Sequence, residues 1–350
     1  MMDDRSVPKL TSLAHGGGCG CKLDPGVLSA ILGETPVLPM AGNLIVDAST
    51  RDDAAVYRID DRTALVATTD FFTPIVDDPF HFGRIAATNA LSDIYAMGAK
   101  PIFCLAIVGM PVATLPHETI RAILDGGRSV AEAAGAPIAG GHSIDAAEPI
   151  YGLVALGLAD PAKILTNAGA QAGDVLILGK SLGVGIFSAA LKRGILSESD
   201  YEAMIASTTR LNTPGTALAD LEGVHAATDV TGFGLLGHLS EMCLGAGLRA
   251  VVERDHLPVF EGARALLAQG VKTGASGRNW AAITAQIPAP EGLSDFDQAL
   301  MCDPQTSGGL MVSCAPGAVD RVLDVFRAAG HEDAAIIGRF EAGPARIDIA

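Results

Sequence analysis

Residues 81–97 read as an amphipathic helix with polar groups set into its apolar side, and this restricts the fold more than any other stretch. Asp78-Pro79 provides the N-cap and first-turn signals, Gly98 the stop, and Pro101 lies beyond it. At 100° per residue, Phe82, Ile85, Ala86, Ala96 and Met97 form one stripe. Asn89 and Asp93 fall in its middle, one turn apart. A carboxylate there is costly to bury alone, so the fold must bring it either a satisfied hydrogen-bond network or a cation. Three more acids stand at the ends of strand-like runs: Asp53 before 54–57, Asp70 after 64–69, and Asp229 within 225–230. Singly, such acids are turn formers. Together with Asn89 they make an oxygen-rich donor set suited to Mg²⁺ shared with phosphates.

A second constraint lies near the start, at His15-Gly16-Gly17-Gly18-Cys19-Gly20-Cys21-Lys22. The glycines allow positive φ and close approach to a ligand. Lys22 favours a thiolate at its neighbours, the condition for a reactive thiol. Asp24-Pro25 opens a short apolar helix at 27–32, whose positive end would lie close to the thiols. Alone, this stretch reads equally well as a linker or half a zinc site, since His15, Cys19 and Cys21 offer at most three nearby ligands.

With 350 residues the chain is long enough for two domains. A net charge of −16 argues against a general nucleic-acid or anionic-membrane surface, but not against a polyanionic small ligand neutralised by metal ions. No apolar run reaches the roughly 20 residues of a membrane span. The N-terminus lacks the pattern of a secretory signal. Six unevenly spaced cysteines fit a reducing cytoplasm, with Cys104, Cys243 and Cys314 in apolar, core-like contexts.

Further along, 102–108 and 150–158 read as strands, and 115–135 as an amphipathic helix. Gly140-Gly141-His142-Ser143 reads as a glycine turn whose amides can hold phosphate. Asp160-Pro161 marks a boundary, which divides the chain into a Gly-rich arm and short helix (1–45), an N-terminal domain (46–160) and a C-terminal domain (161–350). Strands are expected at 175–178, 250–253, 310–313 and 335–338, and helices at 183–193, 201–221, 259–267 and 318–329. A glycine-rich loop is expected around Trp280, and an extended turn at 302–309.

Two motifs compete for attention. Gly179-Lys180-Ser181 imitates the end of a P-loop, but Asp174 stands where the leading glycine belongs. Gly232-Phe233-Gly234-Leu235-Leu236-Gly237 is a literal dinucleotide fingerprint, with Glu253 at about the expected distance. It makes an NAD(P)-binding oxidoreductase a rival reading. Asp229 would repel a pyrophosphate there unless a cation intervenes. A non-enzymatic carrier of a metal or another thiol-seeking species, using Cys19 and Cys21, is the third reading.

Seven segments resemble the selenophosphate synthetase (selenide, water dikinase) family, in order: 15–22, 50–56, 68–72, 83–94, 139–145, 228–238 and 302–309. The resemblance implies a two-domain α+β fold like that of aminoimidazole ribonucleotide synthetases. Its N-terminal α+β domain pairs across a homodimer, and its C-terminal α+β domain has a mixed sheet. It implies a Mg²⁺-dependent transferase that turns ATP, selenide and water into selenophosphate, orthophosphate and AMP, with K⁺ as a candidate monovalent cofactor and a selenium-delivery protein as a candidate partner. By the same resemblance, Cys19 is the catalytic thiol and Lys22 the essential lysine, also at the nucleotide. Asp53, Asp93 and Asp229 match the magnesium ligands. Thr50, Arg51, Asp52, Asp70, Asp93, Gly141, His142 and Ser143 match nucleotide contacts, and Asn89 joins them from its place beside Asp93.

Overall fold

The structure, a computed structural model, describes residues 8–22, 27, 31, 42–47, 51–290 and 292–350. The short helix expected at 27–32 lies largely outside the described residues, and Thr50 lies wholly outside them.

Two six-stranded sheets organise the chain. The first contains β1 (Leu44–Val46), β2 (Ala55–Arg58), β3 (Ala64–Phe72), β4 (Lys100–Met110), β5 (Ile138–Asp145) and β6 (Ile150–Ala159). Their order is β1-β2-β3-β6-β4-β5, antiparallel except for the parallel pair β4/β5. Helices α1 (Pro79–Ala96) and α2 (His117–Ala133) pack against each other. Asp78 caps α1 by accepting from the His81 N–H at 2.7 Å, as its sequence predicts.

The second sheet contains β7 (Val175–Leu178), β8 (Val224–Asp229), β9 (Arg249–Val252), β10 (Leu310–Cys314), β11 (Ala335–Glu341) and β12 (Arg346–Ile349). It runs β12-β9-β11-β7-β10-β8, with only β12/β9 parallel. Around it lie α3 (Val184–Lys192), α4 (Glu198–Thr208), α5 (Pro214–Leu218), α6 (Gly234–Ala246), α7 (Glu261–Ala268), α8 (Ala275–Thr284), α9 (Asp295–Met301) and α10 (Val319–Ala328).

The halves share one apolar seam. Phe72 and Phe82 of the first belong to the same buried cluster as Phe187, Met204 and Leu267 of the second. Helix α1 runs along this seam and touches β8, α4 and α5 as well as its own sheet. That is why it is buried nearly all round, and why polar residues on it meet groups far away in sequence.

Local readings fail where tertiary pairing decides. Residues 140–143 are not a turn but part of β5, an edge strand held parallel to β4. Asp70 lies inside β3, not past its end, because β3 continues to Phe72 against β6. The glycines around Trp280 open α8, residues 201–221 divide into α4 and α5, and α9 and β12 carry too little periodicity to be expected. Cys104, Cys243 and Cys314 are buried free thiols. No helix among the described residues is long and apolar enough to cross a membrane.

Candidate active site

The glycine-rich segment lies folded down between the two halves. Thr11 donates to Asp77 at 2.6 Å, and His15 meets Glu148 at 2.9 Å on the first half. On the other side, Lys192 donates to the Ala14 carbonyl at 3.3 Å. The Gly18 N–H donates to the Thr73 carbonyl at 2.9 Å, and the Thr73 hydroxyl to the Gly16 carbonyl at 3.1 Å. Residues Gly18–Cys21 then make a single 3₁₀ turn, with the Cys19 N–H donating to Thr306 Oγ1 at 3.1 Å. Gly18 takes φ 53°, a left-handed conformation that costs a side-chain-bearing residue about 1 kcal/mol or more. Gly232 lies against the turn: a Cβ there would meet the Cys19 carbonyl oxygen at 3.0 Å. This glycine of the would-be dinucleotide fingerprint serves the arm's close approach.

Cys19 is buried, and its Sγ–H donates to Asn89 Oδ1 at 3.3 Å. Asn89 also accepts from the Ser307 N–H at 2.7 Å and donates through Nδ2 to Asp70 Oδ2 at 2.6 Å. Lys22 Nζ donates to that same oxygen at 3.2 Å. Burial pulls the ammonium down, but the charges of Asp70, Cys19, Asp93 and Asp229 outweigh it and hold Lys22 well above its ordinary value. Burial pushes the Cys19 thiol far up, and Lys22 acts in the expected direction, lowering it, but offsets only part of the push. Burial disfavours the thiolate here because a buried anion lacks solvation.

Asp53, Asp93 and Asp229 meet behind this group. Thr68 Oγ1 donates to Asp93 at 2.5 Å and Thr228 Oγ1 to Asp53 at 3.0 Å. Asp53 Oδ2 and Asp229 Oδ2 are buried with no hydrogen-bond partner. Desolvation raises all three carboxyls, and their mutual repulsion raises Asp53 and Asp93 further. For Asp229 the net result, after partial relief by Ser92 and Lys22, is about 6. Orphaned carboxylate oxygens held together against their own repulsion fit a hard divalent cation. Among the described residues no group of three or more His, Cys, Asp or Glu side chains is arranged to hold a metal ion by itself.

The remaining expected contacts fall in two places. Arg51, with φ 55°, hydrogen-bonds Gln286, just beyond the C-terminus of α8. Asp52 accepts from the Asn167 N–H at 2.7 Å, and Asn167 Nδ2 donates to the Arg51 carbonyl at 3.0 Å. Both residues therefore sit at the seam beside Asp53. Gly141, His142 and Ser143 do not reach the carboxylates of their own chain. They line a separate 250 Å³ cavity with Arg128 and Tyr151. β5 is three strand positions from β3, about 14 Å at ordinary strand spacing.

The loop at 302–309 had no assigned side-chain role in the sequence, yet it forms the wall facing the arm. Asp303 Oδ2 accepts from the Gly185 and Ile186 N–H groups at 2.9 and 3.2 Å, and Gln305 Oε1 from the Gly183 and Val184 N–H groups at 3.1 Å each. These bonds pin the loop to the start of α3. Lys180 of the rejected P-loop is buried, and its Nζ donates to the carbonyls of Ser307 at 2.9 Å and Arg210 at 2.7 Å. Burial and Arg210 bring its ammonium down to about 7. Its partner lies 127 positions away, which no local motif signals. The dinucleotide reading fails on topology: β8 is an edge strand antiparallel to β10, so there is no parallel βαβ unit to seat a pyrophosphate.

An N-terminal and a C-terminal α+β half with a site in the seam define the AIR synthase class. Residues 51–159 match the AIR synthase related protein N-terminal domain, and 171–348 the AIR synthase related protein C-terminal domain. The same fold occurs in the solved thiamine-monophosphate kinase from Stenotrophomonas maltophilia K279a, at TM-score 0.63 and 22% identity over 93% of this chain and 94% of that one. It also occurs in the hydrogenase maturation protein HypE in complex with ATP, at TM-score 0.65 and 18% identity over 95% and 87%. Within that class the chain belongs to the selenide, water dikinase family. It is 62% identical to the selenide, water dikinase of Burkholderia pseudomallei (strain K96243) over 99% of this chain and 98% of that protein. To that of Rhizobium meliloti (strain 1021) it is 53% identical over 98% of each.

Proposed function

We propose that this chain catalyses ATP-dependent formation of selenophosphate from selenide and water, releasing orthophosphate and AMP, in the cytoplasm. Family membership supports the reaction class. The observation that carries the site assignment is the Asn89 side chain, which joins the Cys19 thiol on the arm to Asp70 and Lys22 at the edge of the carboxylate cluster.

Asp53, Asp93 and Asp229 would hold Mg²⁺, which when bound neutralises the triphosphate and polarises its phosphoryl oxygens. Lys22, aligned by Asp70, adds a fixed positive charge on the arm side of the nucleotide. Cys19 presents its Sγ from the inner face of the arm, where a soft thiol faces the selenium to be phosphorylated. Thr306, Thr73 and Glu148 hold the arm down, so the site is walled from water while these groups act.

Gly141, His142 and Ser143 would join a nucleotide site in a homodimer. β5 offers an exposed edge, with its own Ile144 58% exposed, and edge pairing with a second copy would carry these residues toward that copy's seam.

The test is anaerobic: ATP consumption and AMP release are followed with Mg²⁺, with and without selenide. Turnover that depends on selenide, with selenophosphate formed, is the expected outcome. Selenide-independent turnover, or none, overturns the reading.

A further inference from the structure

A cavity of 730 Å³ lies between the arm and the C-terminal half, within the usual range for a small-molecule site. Lys22, Lys192, Arg193, Lys272 and Arg278 line it, and no carboxylate does. The chain as a whole carries a net charge of −16, so this is a local reversal of sign. Lys22 is engaged by Asp70, and His15, which also lines the cavity, by Glu148. Among the described residues, none of the other four cations forms an ion pair. Instead, Lys192 and Arg278 reach the arm's backbone at the Ala14 and Gly20 carbonyls, at 3.3 and 3.5 Å.

The walls come from both sides of the closure. Gly16, Gly17 and Gly20 belong to the arm, whereas Ser188, Lys192 and Lys272 belong to the C-terminal half. An anion bridging them has its full set of partners only while the arm is down.

We propose that this cavity binds an oxyanion of the phosphate class, and that its occupancy holds the arm closed over Cys19. Guanidinium and ammonium groups lining one cavity from both of its walls suit a multiply charged tetrahedral oxyanion. Coupling to closure follows by linkage, because a ligand that binds only the closed form raises its population. The occupant can be solution phosphate or the phosphorus product leaving from beneath the arm. The assignment rests on the closed arm and not on the reaction proposed above.

Alkylation of Cys19 reports arm opening, since the closed arm buries its thiol. The full chain with Cys21→Ser is treated with iodoacetamide in a chelator, with inorganic phosphate added or replaced by chloride at equal ionic strength. Without divalent cations the inner carboxylates repel phosphate, so protection reports this cavity. We expect saturable slowing of Cys19 labelling by phosphate and not by chloride. Lys272→Gln/Arg278→Gln should need about tenfold more phosphate or lose the protection. No saturable protection of the parent, or equal protection of the double variant with its far-UV CD and melting unchanged, overturns the proposal. A phosphate-free single turnover then separates the sources. Altered orthophosphate release in the double variant assigns the cavity to departing product, and unaltered release with lost protection assigns it to solution phosphate.

Discussion

Asn89 and Asp70 are joined by a 2.6 Å hydrogen bond from Nδ2 to Oδ2, and through it the N-terminal sheet, helix α1 and the arm become one unit. The other end of the amide accepts from Cys19 and Ser307, so a single buried side chain connects both halves and the arm. An amide is suited to this place because it donates on one side and accepts on the other.

Replacing Asn89 with Ala should therefore do more than open a cavity. It leaves the Ser307 N–H and the Cys19 thiol without their acceptor, at a cost of about 1–3 kcal/mol for the buried donors. A lower denaturant midpoint together with faster Cys19 alkylation is the expected pair. A stability loss with unchanged alkylation would mean that Asn89 does not hold the arm.

Cys19→Ser keeps a donor of similar size facing Asn89 but removes the sulfur. Selenophosphate formation, followed by phosphorus NMR, should fall to below about one thousandth, while nucleotide binding measured by calorimetry persists. Equal loss of both would make the residue structural.

Gly18→Ala tests closure without touching a reacting group. The left-handed φ and a Cβ clashing with the Thr306 hydroxyl both oppose the 3₁₀ turn. Cys19 should alkylate faster and turnover fall, whereas the melting of the rest of the chain should move little. Wild-type alkylation in this variant would place the strain elsewhere.

Asp229→Asn should weaken Mg²⁺-ATP binding by at least about tenfold and also change the metal-free pH profile. The native carboxyl titrates near 6, above its ordinary 3.8, so between these values the folded state binds the extra proton. Stability contributed by this group is thus lost as pH rises from about 4 to about 6, and the variant should gain most over the parent above pH 6. His238, lowered to about 3, and His331, lowered to about 4, contribute the opposite slope in both proteins and cancel in the difference. Denaturant midpoints in chelator at pH 4.5 and 7 measure that difference. A gain that does not grow with pH would contradict the repelling-carboxylate picture.

If β5 pairs with a second copy, Ile144→Lys should yield monomers by light scattering and lose activity without losing the fold. A monomeric parent of full activity would remove the need for pairing.

Much of the site was legible along the chain because its signals are local. Residues 81–97 announced a helix by period and capping, and the polar pair on its apolar stripe announced a partner; α1 spans Pro79–Ala96 and Asn89 and Asp93 are partnered. The family resemblance likewise rests on short ordered segments. Other features lie outside such reasoning. β5 looked like a turn because its glycines favour turns, and only pairing with β4 makes it a strand. The burial that raises the Cys19 thiol is supplied by the fold and has no local signal, and it outweighs Lys22, which lowers the thiol as its nearness in sequence implies.

The chain by itself therefore determined which residue types stand ready: an arm of glycines with a thiol and a lysine, acids in or beside strand-like runs, and an acid and an amide on a helix stripe. Tertiary structure alone decided that the 302–309 loop, held by Lys180, forms the wall the arm closes against, that Gly232 makes room for it, and that cations gather in the cavity beside it. The physical reason is range. Periodicity and capping act over a few residues, whereas desolvation and charge depend on whatever the fold brings within a few ångströms, at any separation in sequence.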